Sequence, residues 1–223
     1  MPSVFLSREL RPSSPFHALK QSVEWVIHAQ SLLRFESVSL GATPAVDWLF
    51  FYSQRGVQFL LPQYSPPPEL RLAAIGEATA AALRQAGYVP QFVGQGSPQQ
   101  VADAFREHAY GQRVGFVQAR QSRRSVQQIL KKAVEASNWI VYDNQLHPAA
   151  VASIPQVDYL VFTSPLNVKA WCAGQSAPYP ERFIAIGPTT AAALREAGIT
   201  NYRVAAAPSE SELFHCLLDW ENE

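Results

Sequence analysis

The 223-residue chain carries only two cysteines, Cys172 and Cys216, with no CxxC pair. That removes a disulfide scaffold and a cysteine-based zinc site, and leaves both thiols as small core hydrophobes. No apolar run approaches the roughly 18 residues needed to span a bilayer, and the N-terminus MPSVFLSREL lacks the charged and apolar regions of a secretory signal. A cytoplasmic setting is the expectation. There is no excess of charge of either sign: 18 Lys and Arg face 18 Asp and Glu, so a nonspecific nucleic-acid binder is disfavoured. Charged residues are 16% and hydrophobic residues 48%, a globular rather than a disordered balance. No GxGxxG follows a strand, and GxxxxGK[ST], GxSxG, HExxH and the EF-hand loop are missing, so the usual coenzyme, nucleotide and metal sites are unsupported. The five histidines, His17, His28, His108, His147 and His215, show no ligand spacing. Neither a metal nor a cofactor is expected.

What is there is a duplication. VDWLFFYSQRGVQFL from Val46 aligns with VDYLVFTSPLNVKAW from Val157, 111 positions on. At the same offset, RLAAIGEATAAALRQAG from Arg71 aligns with RFIAIGPTTAAALREAG from Arg182, identical at 12 of 17 positions. One supersecondary unit is used twice, with a period too long for a solenoid.

Each copy alternates strand and helix. Asp47–Tyr52 and Asp158–Thr163 read as buried strands, followed by helices Arg55–Leu61 and Leu166–Ala173. Strands Leu72–Ile75 and Phe183–Ile186 lead to Ala-rich helices Thr79–Ala86 and Thr190–Ala197, which stop at Gly87 and Gly198. Gln91–Val93 with Gln99–His108, and Tyr202–Ala205 with Glu210–Trp220, complete the copies. Outside the repeat, strand Arg113–Gln118, helix Arg124–Ala136 and strand Trp139–Tyr142 extend the first. Ser3–Ser7, a short helix near Pro15–Gln21 and strand Trp25–His28 are too few to fold alone and are expected to extend the second.

The expected fold is α/β: two similar parallel-sheet domains, Rossmann-like or flavodoxin-like, joined by a two-stranded β connector, with the active site in a cleft between them. Residues 1–33 plus 149–223 form one domain, 46–136 the other, and 34–45 with 137–148 the connector. The Pro-rich loops at Ser65–Pro68 and Pro178–Pro180 are candidate lids.

Candidate site residues lie at the carboxyl ends of strands, where open α/β sheets bind ligands. The turns IGEAT (Ile75–Thr79) and IGPTT (Ile186–Thr190) open helices. Gly76 and Gly187 allow close approach of a ligand, the first-turn N–H groups suit a carboxylate or phosphate, and Thr79 and Thr190 can add a hydroxyl donor or simply cap the helix. Ser53 and Ser164 leave the preceding strands, and Arg55 can pair with a carboxylate. Arg120, Arg123 and Arg124 follow the strand Arg113–Gln118, and Arg123 is taken as a substrate contact.

FTSPLNV (Phe162–Val168) followed by IAIGPTTAAALREAG (Ile184–Gly198), together with VYDNQLHP (Val141–Pro148), resembles the uroporphyrinogen-III synthase family from Asp47 to Glu212. Near the N-terminus only Arg8 in FLSR resembles the family's usual start. The resemblance implies a cofactor-free lyase of tetrapyrrole (heme) biosynthesis, cytoplasmic and monomeric. It would convert hydroxymethylbilane, a linear tetrapyrrole with eight carboxylates, into uroporphyrinogen III by loss of water, inversion of ring D and macrocycle closure. It marks Tyr142 as the acid for departure of the ring A hydroxyl, and Ser53, Thr79, Ser164, Thr189 and Thr190 as substrate contacts. It also implies no nucleic-acid or membrane partner and at most a transient contact with the preceding pathway enzyme. Two departures stand out: the first copy has Tyr52 where a Thr is usual, and Glu77 sits beside a carboxylate site. A two-domain hinge protein that binds a polyanion without chemistry is the alternative; it has no use for Tyr142. A Rossmann-type oxidoreductase is disfavoured by the missing Gly-rich fingerprint.

Overall fold

The computed structural model describes residues 1–10, 12–21, 24–174 and 182–223. The loop Pro178–Pro180, one of the two candidate lids, lies outside the described residues. In chain order the elements are β1 (Ser3–Leu6), α1 (His17–Gln21), β2 (Val26–Ala29), β3 (Leu33–Ser37), β4 (Trp48–Phe51), α2 (Gln54–Leu60), β5 (Arg71–Ala74), α3 (Glu77–Gln85), β6 (Phe92–Val93) and α4 (Pro98–Ala109). There follow β7 (Arg113–Ala119), α5 (Ser125–Leu130), β8 (Glu135–Leu146), a 3-10 turn (Pro148–Ser153), β9 (Tyr159–Phe162), α6 (Pro165–Gly174), β10 (Arg182–Ala185), α7 (Pro188–Glu196), β11 (Tyr202–Val204) and α8 (Glu210–Glu221).

The chain divides into two compact units. Unit 1 comprises residues 1–34 and 145–223, and unit 2 residues 35–144, so the chain passes between them within β3 and again within β8. Unit 1 is a five-stranded parallel sheet in the order β11-β10-β9-β1-β2, and the N-terminal strand β1 pairs directly with β9. The six-stranded sheet of unit 2 has the order β3-β8-β7-β4-β5-β6, parallel from β8 to β6. At its edge, Val38 N–H donates to Val141 O (3.0 Å) and His147 N–H to Leu32 O (2.9 Å), a pairing that makes β3 and β8 antiparallel. Counted from β4, the parallel part of unit 2 has the order 3-2-1-4-5, and unit 1 repeats it with its last two strands supplied by the N-terminus. The strand order reverses between β4 and β7, and between β9 and β1.

Both sheets are covered on both faces, which is why strands such as Trp48–Phe51 and Tyr159–Phe162 are buried at every position. In unit 2, Leu49, Phe51, Leu72 and Val117 pack with Val57 and Leu60 of α2 and Leu83 of α3. Trp48, Phe50 and Phe116 pack on the opposite face with Phe105 of α4 and Leu130 of α5. Unit 1 repeats this, with Phe5, Phe162 and Phe183 against Trp171 and Leu194 on one face, and Leu6, Tyr159 and Ile184 against Leu213 and Leu217 on the other. Gly87 and Gly198, at φ +86° and +78°, end α3 and α7 in the left-handed region. Asp47 and Asp158, matched by the repeat, each accept the backbone N–H that opens the neighbouring strand: Arg113 N at 2.9 Å and Ser3 N at 2.7 Å.

Three expectations are corrected. The helix read over Arg124–Ala136 is only Ser125–Leu130, because Glu135–Asn138 pair with Arg113–Phe116 of β7 and a strand cannot remain helical. The stretch 137–144, assigned to a connector, is a continuation of that same strand, and its Trp139 and Val141 are core residues of unit 2. Cys172 and Cys216 are free and half-buried rather than fully buried, and desolvation pushes both thiols up.

Candidate functional site

In unit 2, β4 ends at Phe51 and Ser53 becomes the N-cap of α2. Its Oγ accepts Gly56 N–H at 3.0 Å and lies 3.0 Å from Tyr142 Oη. Tyr142 stands on β8, 7% exposed, stacked on Phe59 of α2 with ring centroids 5.3 Å apart and planes at 13°. The phenol is therefore held on its face by one turn of α2 and at its oxygen by the cap of the same helix. Ser53 and Tyr142, separate candidates from the sequence, meet here, and Gly56 and Phe59, which carry no sequence signal of their own, complete the arrangement.

The repeat places Ser164 where Ser53 stands, and the chemistry differs. Ser164 Oγ accepts both Asn167 N (3.3 Å) and Asn167 Nδ2 (2.9 Å). Asn167, 4% exposed, uses its Oδ1 to take Leu32 N–H at 3.0 Å. Ser164 is thus tied into a latch between α6 and the residue before β3. At the end of β1, Ser7 is fully buried and its Oγ accepts Thr163 N–H at 2.9 Å. That pair closes the reversal point of unit 1 from within.

The turns at Gly76 and Gly187 open α3 and α7, and neither helix has a side-chain cap. Both glycines are extended, at φ −174° and 177°, a conformation open to any residue. A Cβ would meet only Gly94 O at 3.8 Å from Gly76, and only Pro208 Cβ at 3.8 Å from Gly187, so packing leaves room at both. Thr79 and Thr190 are 4% and 1% exposed. They hold the third helical position, and the N-cap place belongs to Gly76 and Gly187, so neither threonine caps its helix. The exposed lip residues are Glu77 and Ala78 in one turn, Pro188 and Thr189 in the other. Glu77 is 71% exposed and pairs with Arg84 at 2.5 Å, which offsets its charge. Pro188 lacks an N–H, so the turn in unit 1 has one donor fewer than that in unit 2.

Arg55 is exposed, with its guanidinium 3.6 Å over the Phe35 ring. Arg120 pairs with Asp143 at 3.2 Å, and Arg123 is exposed on the same loop. Arg124 adopts φ +52°, a left-handed conformation costly for a side-chain-bearing residue, and offers α5 no side-chain cap. That role falls to Tyr52, whose hydroxyl accepts Gln127 N–H at 2.8 Å. Burial pushes the Tyr52 phenol up to about 12, so it stays protonated and is committed to structure. This accounts for tyrosine where the other copy has Thr163, which bonds to the end of β1 instead. His147 precedes the 3-10 turn at the return of the chain and gives its N–H to Leu32 O, a structural role. Among the described residues there is no group of three His, Cys, Asp or Glu side chains able to hold a metal ion. No described helix is long and apolar enough to cross a membrane.

A sequence profile of the family described as "Uroporphyrinogen-III synthase HemD" matches residues 28–215. No significant match was found among curated proteins. Among solved structures, the uroporphyrinogen-III synthetase of Helicobacter pylori is 22% identical and superposes with a TM-score of 0.75, covering 99% of this chain and 100% of that one. A mutant uroporphyrinogen III synthase of the extremely thermophilic bacterium Thermus thermophilus is 20% identical with a TM-score of 0.58, with 100% of each chain covered. These likenesses show the fold, and with the profile match over most of its length the chain belongs to the uroporphyrinogen-III synthase family.

Proposed function

We propose that the protein is a uroporphyrinogen-III synthase that converts hydroxymethylbilane to uroporphyrinogen III as a lyase, with Tyr142 as the acid. The observation that carries the chemistry is the Tyr142 phenol, nearly buried and held within 3.0 Å of Ser53 at the carboxyl end of the strands of unit 2. A phenol O–H so placed can give its proton to a leaving hydroxyl. The C–O bond at the ring A hydroxymethyl carbon breaks with its electrons going to oxygen, and the Tyr142 proton completes a water molecule. The pyrrole nitrogen lone pair stabilises the cation left behind. Ring D then attacks that cation through its substituted α carbon, the bond from this carbon to the ring C methylene breaks to leave a second pyrrole-stabilised cation there, and the free α carbon of ring D closes on it. The proton lost from that carbon as the ring recovers its aromaticity restores the phenol. Closure runs forward without help, so the protein's main contribution is to hold ring D in the geometry that yields the inverted isomer.

Eight carboxylates need donors. The open turns at Gly76 and Gly187, with room for close approach and a positive helix end, suit them, as do Thr189, Ser164, Arg55 and Arg123. Thr79 and Thr190, at the third helical position of the same turns, are further substrate contacts in this reading. The zero net charge and the absent motifs favour action without metal, coenzyme or nucleic acid, and family membership is the support for a cytoplasmic monomer. The test is to supply freshly made hydroxymethylbilane and separate the product isomers. Isomer III is expected; isomer I alone, at the rate seen without protein, contradicts the proposal.

A further inference from the structure

We infer that Ser53 is the positioning residue of Tyr142, and that Gly56 is what leaves it available for that work. The inference rests on the function proposed above and concerns one hydrogen bond of it. Ser53 Oγ accepts Gly56 N–H at 3.0 Å, which fixes one lone pair and turns the rest of the hydroxyl towards Tyr142 Oη, also 3.0 Å away. A serine hydroxyl has a single proton to give. When it donates to the Tyr142 oxygen, the phenol's own proton is free for the substrate hydroxyl. Once that proton has moved, the same Ser53 O–H meets the phenolate, and a hydrogen bond to an ionised acceptor is stronger than the one it replaces. The interaction is therefore worth more after proton transfer than before it, which is the condition for raising kcat rather than lowering KM.

The duplication contains the comparison. Positions 56 and 167 correspond, and unit 1 carries Asn where unit 2 carries Gly. Asn167 places its own side-chain amide on Ser164 Oγ and draws that serine into its own side chain, whereas Gly56 has no side chain to compete for Ser53 Oγ. A side chain at position 56 is also resisted sterically, since its Cβ would lie 3.3 Å from Val117 Cγ1 and 3.6 Å from Ser53 Oγ. Phe59, one turn further along α2, stacks on the Tyr142 ring, so cap and stack fix the phenol from one helix. In unit 1 the serine serves a latch; in unit 2 it serves the phenol.

The experiment is steady-state turnover of hydroxymethylbilane, with kcat and KM separated, for the wild type, Ser53→Ala, Ser53→Thr, Tyr142→Phe and the Ser53→Ala/Tyr142→Phe double variant. Should Ser53→Ala fold poorly through loss of its cap, Ser53→Gly keeps most of the capping and takes its place. Ser53→Ala is expected to lose about tenfold in kcat, the scale of one hydrogen bond, with KM nearly unchanged. Ser53→Thr restores the rate, and Ser53→Ala adds no loss once Tyr142 is Phe. An unchanged kcat in Ser53→Ala, a loss confined to KM, a full multiplicative loss in the double variant, or wild-type turnover in Tyr142→Phe overturns the inference. Failure of the wild type to form isomer III is a different result and strikes the proposed function itself.

Discussion

Replacing Gly94 by Ala tests how tightly the Gly76 turn is built. Gly94 follows β6 and is buried against the end of β5. A Cβ there would lie 2.6 Å from Ile75 O and 2.7 and 2.9 Å from the two Val101 methyls. Carbon contacts are comfortable only beyond about 3.5 Å, so several tenths of an ångström must be found on both sides. One obstacle is backbone and the other is a stiff β-branched side chain on α4, so neither yields cheaply. Overpacking of this kind costs about 2–3 kcal/mol, which lowers the melting temperature of a chain this long by roughly 4–12 °C. The strain falls on the Ile75–Gly76 peptide, so KM for hydroxymethylbilane should rise as well. Gly41→Ala is the control, because nothing lies within 4 Å of its Cβ. Thermal melts of the two variants beside the wild type decide the matter. A Gly94→Ala protein that melts within about a degree of wild type refutes the packing argument.

Other consequences follow from single contacts. Tyr52→Phe deprives Gln127 N–H of its acceptor and should cost about 1–3 kcal/mol by denaturant unfolding, without removing activity. The Arg113 guanidinium and backbone hold Asp47 down to about 2, against 3.8 ordinarily. A carboxyl depressed on folding stabilises at pH values above its unfolded pKa, and that contribution drains away as pH falls from about 4 towards 2. Asp47→Asn should therefore be less stable at neutral pH and flatter across that window. The effect is modest and salt-sensitive, because the pair is partly exposed. Phe59→Ala removes the stack on Tyr142 and should lower kcat more than it raises KM, measured by the same turnover assay.

The repeat made most of the fold legible. Strands such as Trp48–Phe51 and helices such as Glu77–Gln85 follow from apolar runs, Ala-rich stretches and a closing glycine, all local signals. The failure of the helix reading at residues 131–136 has a definite cause. KKAVEAS has ample helix propensity, but β7 offers a ladder to Glu135–Asn138, and pairing outweighs propensity. The site was legible only in part. Tyr142 and Ser53 could be picked as residue types, yet nothing local says that they touch, since 89 positions separate them. Gly56 was readable only as one of several positions at which the two copies differ, glycine against Asn167. Thr79 and Thr190 could be placed in the turns from the sequence, but their low exposure could not, since only the helix's seating on the sheet decides which face a third helical position presents.

The central claim is that the Tyr142 phenol drives loss of the ring A hydroxyl in unit 2. The most direct measurement is single-turnover conversion of hydroxymethylbilane by Tyr142→Phe with its product isomers separated, alongside a substrate-binding titration. The account predicts substrate still bound, the rate down by about 10²–10⁴-fold, and the product drifting towards isomer I as the uncatalysed closure takes over. Isomer III formed at the wild-type rate by Tyr142→Phe would contradict it.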